Sequence, residues 1–178
     1  MKRRSQTETA VLGALSVMPM TGYAVRQSIH DVLGHFWSES FGQIYPALTR
    51  LEQEGLVEQG ADETASYTIT ATGLDRLHQL LSESIQDAPP RNGLMLRLFF
   101  GRHLGTDACR ALVEQASVDA ANRLAELEAV RAEIAGETGT EADQPFWLLT
   151  IAAGEHSARA TLAWADEARA HLDAIERT

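Results

Sequence analysis

Residues 35–57 read HFWSESFGQIYPALTRLEQEGLV. The second half has ordinary helical spacing: Ile44, Leu48 and Leu51 fall at i, i+4 and i+7 and share one buried stripe. The first half opens with aromatics and serines and carries Pro46 inside the run. Proline has no N–H, so the carbonyl of Gly42 loses its helical partner, and a bend or irregular turn is expected there. The opening is also chemically distinct, because Ser38, Ser40, Gly42, Gln43 and Tyr45 are small or carry hydrogen-bonding groups. One helix has two ends with two tasks: a core-building remainder, and a start suited to close approach by a polar partner.

The flanking segments say what that partner is. Upstream, Thr9 to Val17 has apolar residues at 11, 12, 14, 15 and 17, a short helix buried on one side. MPMTG breaks it through Pro19 and Gly22. Thr21 then caps a second helix, about Gly22 to Leu33, with Tyr23, Val25, Ile29 and Leu33 as its apolar or semi-apolar positions and Gly34 as its stop. Downstream, Gly55 ends the third helix. LVEQ and SYTIT read as two short strands around the polar turn GADETA, and Thr70 caps a fourth helix with Leu74, Leu77 and Leu81 on one face. Three helices followed by a hairpin is the order of a winged helix-turn-helix. That arrangement presents the third helix to the major groove with its N-terminal residues at base edges. The Gln43 amide can pair with adenine, and the hydroxyls of Ser38, Ser40 and Tyr45 can reach bases or phosphates. Trp37 reads as core that braces the turn.

QDAPPRNG, residues 86–93, is the one boundary in the chain, since adjacent prolines cannot continue a helix. It divides a DNA-binding segment, 1–87, from a segment 88–178 without strand signals. The expected fold class is mainly α with a small β-hairpin. In the second segment LMLRLFFGRHL is a short apolar helix, and about Gly105 to Gly136 is a long one, with positions 113, 116, 120, 124, 127, 130 and 134 in one stripe. Pro145 suits the first turn of a last helix that runs close to the C-terminus. Two long helices and a short one make too thin a bundle to bury all their stripes, so a homodimer is expected; closure onto the N-terminal half is the competing reading.

The net charge is −10, and each half is near −5. That argues against indiscriminate nucleic-acid binding, which depends on neutralising phosphates, so positive charge must be found locally. Hydrophobic content of 44% is enough for a packed core. No apolar run approaches the roughly 20 residues of a membrane span, and none of signal type follows MKRRSQTE. With Cys109 the only cysteine, no internal disulfide is available, and a cytoplasmic protein with no membrane partner is expected. HExxH and phosphate-binding glycine loops are missing, so no catalytic residues, metal or cofactor are expected.

GHFWSESFGQIYPALTRLEQEGLV, with the upstream LGALSVMPMTGYAVRQSI and the downstream YTITATGLDRL, resembles the PadR family of bacterial transcriptional regulators over about residues 10–82. NGLMLRLFFGRHL is similar to the start of the helical C-terminal dimerisation domain of its longer members. The resemblance implies a homodimer that binds a roughly palindromic operator in double-stranded DNA, usually to repress. It places Tyr23, Ser40, Gln43 and Tyr45 toward DNA and Trp37, Ile44 and Leu48 in the core; half-buried packing is the alternative for the two tyrosines. The sequence departs from the family at the wing, where family members carry basic residues and this chain has Asp62 and Glu63. The compensating cations are Lys2, Arg3 and Arg4 in an N-terminal arm, Arg26 on the second helix and Arg50 on the third. The acidic wing also supports a different class of function, a winged-helix protein-interaction module that no longer binds an operator. Phe146, Trp147, His156 and Trp164 suggest a site for a small hydrophobic or aromatic effector, against the plain reading that they are interface and core. Cys109 reads as a small buried group rather than a redox sensor.

Overall fold

The computed structural model describes residues 2–31, 41–60, 65–85 and 92–177, with the side chains of 2–5 and 41 left aside. The chain divides into two compact units, 1–86 and 87–178. The first contains α1 (Lys2–Val17), α2 (Gly22–Asp31), a 3-10 turn (Phe41–Gln43), α3 (Ile44–Gln53), β1 (Val57–Gln59), β2 (Tyr67–Ile69) and α4 (Ala71–Ser82). Its core is one cluster: Val11, Leu12 and Leu15 of α1, Val25 and Ile29 of α2, Ile44, Ala47, Leu48 and Leu51 of α3, Val57 of β1, and Leu77 and Leu80 of α4.

Local chemistry sets the element ends. Thr21 caps α2 by accepting from the Ala24 N–H at 3.1 Å. Gly55, at φ +70°, closes α3: its N–H reaches the Glu52 carbonyl at 3.0 Å, and the Leu56 N–H reaches that of Leu51 at 2.8 Å. Thr70 caps α4 by accepting from the Gly73 N–H at 3.0 Å, and its hydroxyl donates to the Gly55 carbonyl at 2.9 Å. β1 and β2 pair antiparallel, Val57 opposite Ile69 and Gln59 opposite Tyr67. Met20, between α1 and α2, adds a one-residue bridge to Tyr67 through bonds of 3.1 and 2.7 Å.

Two expectations are corrected here. The first helix begins at Lys2, not Thr9, because KRRSQT consists of polar residues that mostly tolerate a helix while leaving no apolar period to read. The fourth helix buries Gly73, Leu77 and Leu80, whereas Leu74 and Leu81 are exposed. Its rotation is set by the close approach of Gly73 to the Leu56 carbonyl, a contact made by the lack of a side chain. Leu33 and Gly34 lie outside the described residues.

The second unit holds α5 (Gly93–Phe99), a 3-10 turn (Gly101–His103), α6 (Thr106–Gly136) and α7 (Gln144–Glu176). The bounds of α6 match the expected long helix. The Asn92 side chain caps α5, accepting from the N–H groups of Leu94 and Met95 at 3.1 Å each. α6 and α7 run antiparallel, joined by ion pairs of Arg110 with Asp173 (2.8 Å), Arg169 with Glu114 (3.0 Å), Arg159 with Glu128 (3.1 Å) and Arg131 with Glu155 (2.7 Å). Burial recurs every seven residues on both helices, at Val113, Ala120, Leu127 and Ile134 and at Ile151, Ala158 and Ala165. That is the period of a coiled coil. Among the described residues, no helix is long and apolar enough to cross a membrane.

Candidate nucleic-acid interface

Pro46 is the third residue of α3, preceded by the 3-10 turn. The irregular turn anticipated from its missing N–H is present, and it falls where an α-helix has no partner for that N–H anyway. The turn and helix start therefore present Gly42, Gln43, Tyr45 and Pro46 outward, all exposed, while Ile44, Ala47 and Leu48 are buried. Thr49, one turn beyond Tyr45, is exposed too, and its hydroxyl donates to the Tyr45 carbonyl at 3.2 Å. It was missed in the sequence because a lone threonine among helical residues carries no pattern.

α2 delivers its own tyrosine to the same unit. Tyr23, second in α2, is 63% exposed, and Tyr45, second in α3, is 48% exposed. Neither belongs to the core cluster, and Tyr45 is about half covered. The two helices meet through Gly22: a Cβ there would lie 3.0 Å from Tyr45 Cε1 and 3.5 Å from Leu48 Cδ1. Any larger residue would press on the Tyr45 ring. Arg26 on α2 is half-buried.

Arg50 sits differently from the others. It is half-buried, its Nη2 lies 4.0 Å from Glu8 Oε2 of α1, and its Nε lies 3.9 Å from Glu54 Oε1. This guanidinium is engaged within the unit, on the flank of α3 that faces α1, and it leaves the set of outward cations. A helical wheel explains why: Arg50 follows Tyr45 by about 140° around α3, which brings it back toward the buried side. The basic arm is also corrected. Lys2, Arg3 and Arg4 form the first turn of α1, not a loose tail, though their side chains lie outside the described residues. Trp37, Ser38, Ser40, Asp62 and Glu63 lie outside the described residues as well. From Val57 to Ile69 the hairpin sequence has no lysine or arginine.

The second unit does not gather the four effector candidates. Phe146 and Trp164 are separated along α7 by about 27 Å at a rise of ~1.5 Å per residue, so one small ligand cannot touch all four in a single chain. Trp147 packs against the Leu127, Ile134 and Ile151 cluster, Trp164 is half-buried, and Phe146 and His156 are exposed. What sequence reading missed is how much of α5 and the following turn is uncovered: Leu96 is 62% exposed and Phe99 82%, and Phe100 and Leu104 are exposed too. The Cys109 thiol is buried, 3.7 Å from the Gly101 carbonyl. Among the described residues, no group of three or more His, Cys, Asp or Glu could hold a metal ion.

Two family models match the chain, in separate stretches. The family described as Transcriptional regulator PadR-like family matches residues 11–79, and Virulence activator alpha C-term matches residues 90–173. The Negative transcriptional regulator PadR of Bacillus subtilis (strain 168) is 33% identical over a 103-residue alignment that covers 51% of this chain. The matched region spans 54%, about half, of that relative's length. The PadR-like transcriptional regulator BC1756 from Bacillus cereus superposes with a TM-score of 0.82 at 23% identity, covering 94% of this chain and 98% of that one. Bacillus subtilis PadR in complex with operator DNA gives a TM-score of 0.76 at 22% identity, over 93% of this chain and 98% of that one. At these identities the structural likeness establishes the fold.

Proposed function

The chain belongs to the PadR-like family of transcriptional regulators, and from that premise we propose that it is a homodimeric repressor of a roughly palindromic operator. The observation that carries the proposal is the start of α3, where Gln43, Tyr45 and Thr49 expose hydrogen-bonding groups while the rest of the helix builds core. Base edges in the major groove are read by that chemistry, and Tyr23 is a further exposed hydroxyl-bearing residue, at the start of α2. From the sequence alone, Ser38 and Ser40 are included in the proposed set of DNA contacts. Residues 1–87 act as the DNA-binding domain and 88–178 as the dimerisation domain. Two reading helices then lie about 34 Å apart, one duplex turn. The uncovered apolar residues of α5 support the dimer, since a patch of this kind marks an interaction surface.

Release by a small aromatic effector is part of the proposal. Bacillus subtilis PadR has been solved in complex with p-coumaric acid, and the chain is similar to it over 93% of its length. Phe146 and Trp147, at the start of α7, are the residues proposed for such a ligand, Phe146 exposed and Trp147 against the Leu127, Ile134 and Ile151 cluster; Trp164 lies too far along the helix to join them.

The experiment is a salt titration of binding to the palindromes upstream of the gene and its neighbours. Besides Arg50 and outside α4, the basic residues of 1–87 are Lys2, Arg3, Arg4 and Arg26, eight per dimer. Six phosphate contacts among them give a slope of log affinity against log salt of about −5. A slope near zero removes operator binding and leaves the protein-interaction module, the reading favoured by a hairpin without a single basic residue.

A further inference from the structure

Glu8 is a buried carboxylate in the middle of α1, 8% exposed. A buried charge is costly unless paired, and Glu8 is shared between two arginines from two other helices. Arg76 Nε of α4 donates to Oε1 at 2.8 Å, and Arg50 Nη2 of α3 faces Oε2 at 4.0 Å. Arg50 Nη2 is buried, with no hydrogen-bond partner among the described residues. Its charge is held by Glu8 on one side and by the more exposed Glu54 on the other.

α3 is otherwise seated by Ile44, Ala47, Leu48 and Leu51, whose burial is non-directional and tolerates rotation about the helix axis. Two residue-specific contacts, one steric and one electrostatic, sit on opposite flanks. Tyr45 rests on Gly22 of α2, and about 140° around the helix Arg50 rests on Glu8 of α1. The outer arc between them holds Pro46, Thr49 and Gln53, all exposed. A rotation of about 20° moves groups at the helix rim, ~6 Å from the axis, by about 2 Å. That exceeds the tolerance of a hydrogen bond.

We propose that Glu8 is the positioning residue of the reading helix: through Arg50, with Arg76 as the second anchor, it fixes the rotation at which Gln43, Tyr45 and Thr49 meet base edges. The proposal rests on the operator reading above. Glu8 and Arg50 touch no DNA in it, and this separates their effect from that of a phosphate contact.

The test uses the full-length chain and the variants Glu8→Gln, Arg50→Gln and the double variant, each titrated with salt against the operator and against a random duplex. Expected is a loss of about tenfold in operator affinity for each single variant, within the range set by one misplaced bidentate base contact. The double variant loses no more than the worse single one. Random-duplex affinity and the salt slope stay at their wild-type values. An equal loss on both duplexes, as from a smaller folded fraction, overturns the proposal. So does a slope shallower by about 1.8 per dimer in Arg50→Gln, which marks a phosphate contact, or a hundredfold loss in the double variant. If Glu8→Gln loses its helical signal, Arg76→Lys carries the same comparison, because it keeps the charge but not the guanidinium donor. A wild type that does not prefer the operator overturns the operator reading and this proposal with it. Variants that keep the wild-type preference overturn this proposal alone.

Discussion

Replacing Gly73 by alanine should destabilise the first unit strongly, although alanine is the better helix former. An added Cβ would stand 2.0 Å from the Leu56 carbonyl oxygen and 2.9 Å from both Leu56 C and Ile69 Cγ1. A comfortable C···O contact is about 3.3 Å, so backbone must move by more than an ångström. The backbone in question is the junction of three elements. Gly73 N–H donates to Thr70 Oγ1 at 3.0 Å, and the Thr70 hydroxyl and N–H both reach the Leu56 carbonyl at 3.1 Å. Losing the cap costs about 1 kcal/mol, a backbone hydrogen bond about 1, and overpacking about 1–3. Alanine returns about 0.5–1 through helix propensity. The net is about 3 kcal/mol, a large share of the 5–15 typical of a domain, and it lowers the midpoint by about 15 °C. The control is Gly13→Ala in α1, where nothing lies within 4 Å of the new Cβ. There the same change should stabilise by ~0.5–1 kcal/mol. Scanning calorimetry of the two variants decides the matter. Shifts of the same sign, or a Gly73→Ala midpoint within two or so degrees of wild type, would refute the packing argument.

Three further outcomes follow from the geometry. Gln43→Ala should weaken operator binding about tenfold without changing the salt slope, since a neutral amide displaces no counterion; a changed slope or unchanged affinity would remove Gln43 from the base-reading set. Phe99→Asp, at a ring 82% exposed in the single chain, should raise the dimer dissociation constant at least about 100-fold, because a buried Phe is worth about 2–3 kcal/mol before the cost of the charge; sedimentation showing an intact dimer would place the interface elsewhere. The hydrogen bond from Arg131, seconded by Arg159, holds the Glu155 carboxyl below its ordinary range against the opposing effect of burial. A lowered folded-state value means its stabilisation is complete above the unfolded value of about 4.3 and lost as pH falls through the depressed one. Glu155→Gln should therefore flatten the acid limb of thermal stability, and parallel pH profiles for the two proteins would contradict the assignment.

The parts of the fold legible in sequence are those that write themselves as pattern or as cap. Thr21 and Thr70 are caps where the helix starts require them, and the α6 stripe at Val113, Ala120, Leu127 and Ile134 is buried as its spacing predicts. What escaped reading is made of absences and single contacts. Gly73 orients α4 by having no side chain, so counting leucines put Leu74 and Leu81 on the wrong face. The Met20–Tyr67 bridge is one residue long, too short for any period, inside a turn that Pro19 and Gly22 announce. Lys2–Thr7 is helical without an apolar residue to say so after Met1. At the candidate site the outward residues of α3 were legible because Gln43 and Tyr45 interrupt a core pattern. Arg50 was not, because charge is a poor guide to orientation when a partner such as Glu8 lies far away in the chain and reads as an ordinary surface residue.

The weak electrostatics and the firm seating of α3 belong together. With net charge −10 and a hairpin free of basic residues, sequence-independent affinity on the operator reading rests on the cations of α1 and α2, since that affinity scales with phosphates neutralised. Its discrimination must come from base contacts, each worth about 1–3 kcal/mol and each lost if the donor is displaced by an ångström or two. A protein with a basic hairpin can let its reading helix shift and still hold the duplex through that hairpin; this hairpin has no lysine or arginine to do so. The requirement for a rigid mount then falls on the contacts beside the reading face, Gly22 with Tyr45 and Glu8 with Arg50 and Arg76. A basic substitution at the hairpin, such as Glu58→Lys, should accordingly raise affinity for operator and random duplex alike. It would thereby reduce the ratio of specific to non-specific binding at positions where Glu8→Gln loses operator affinity alone.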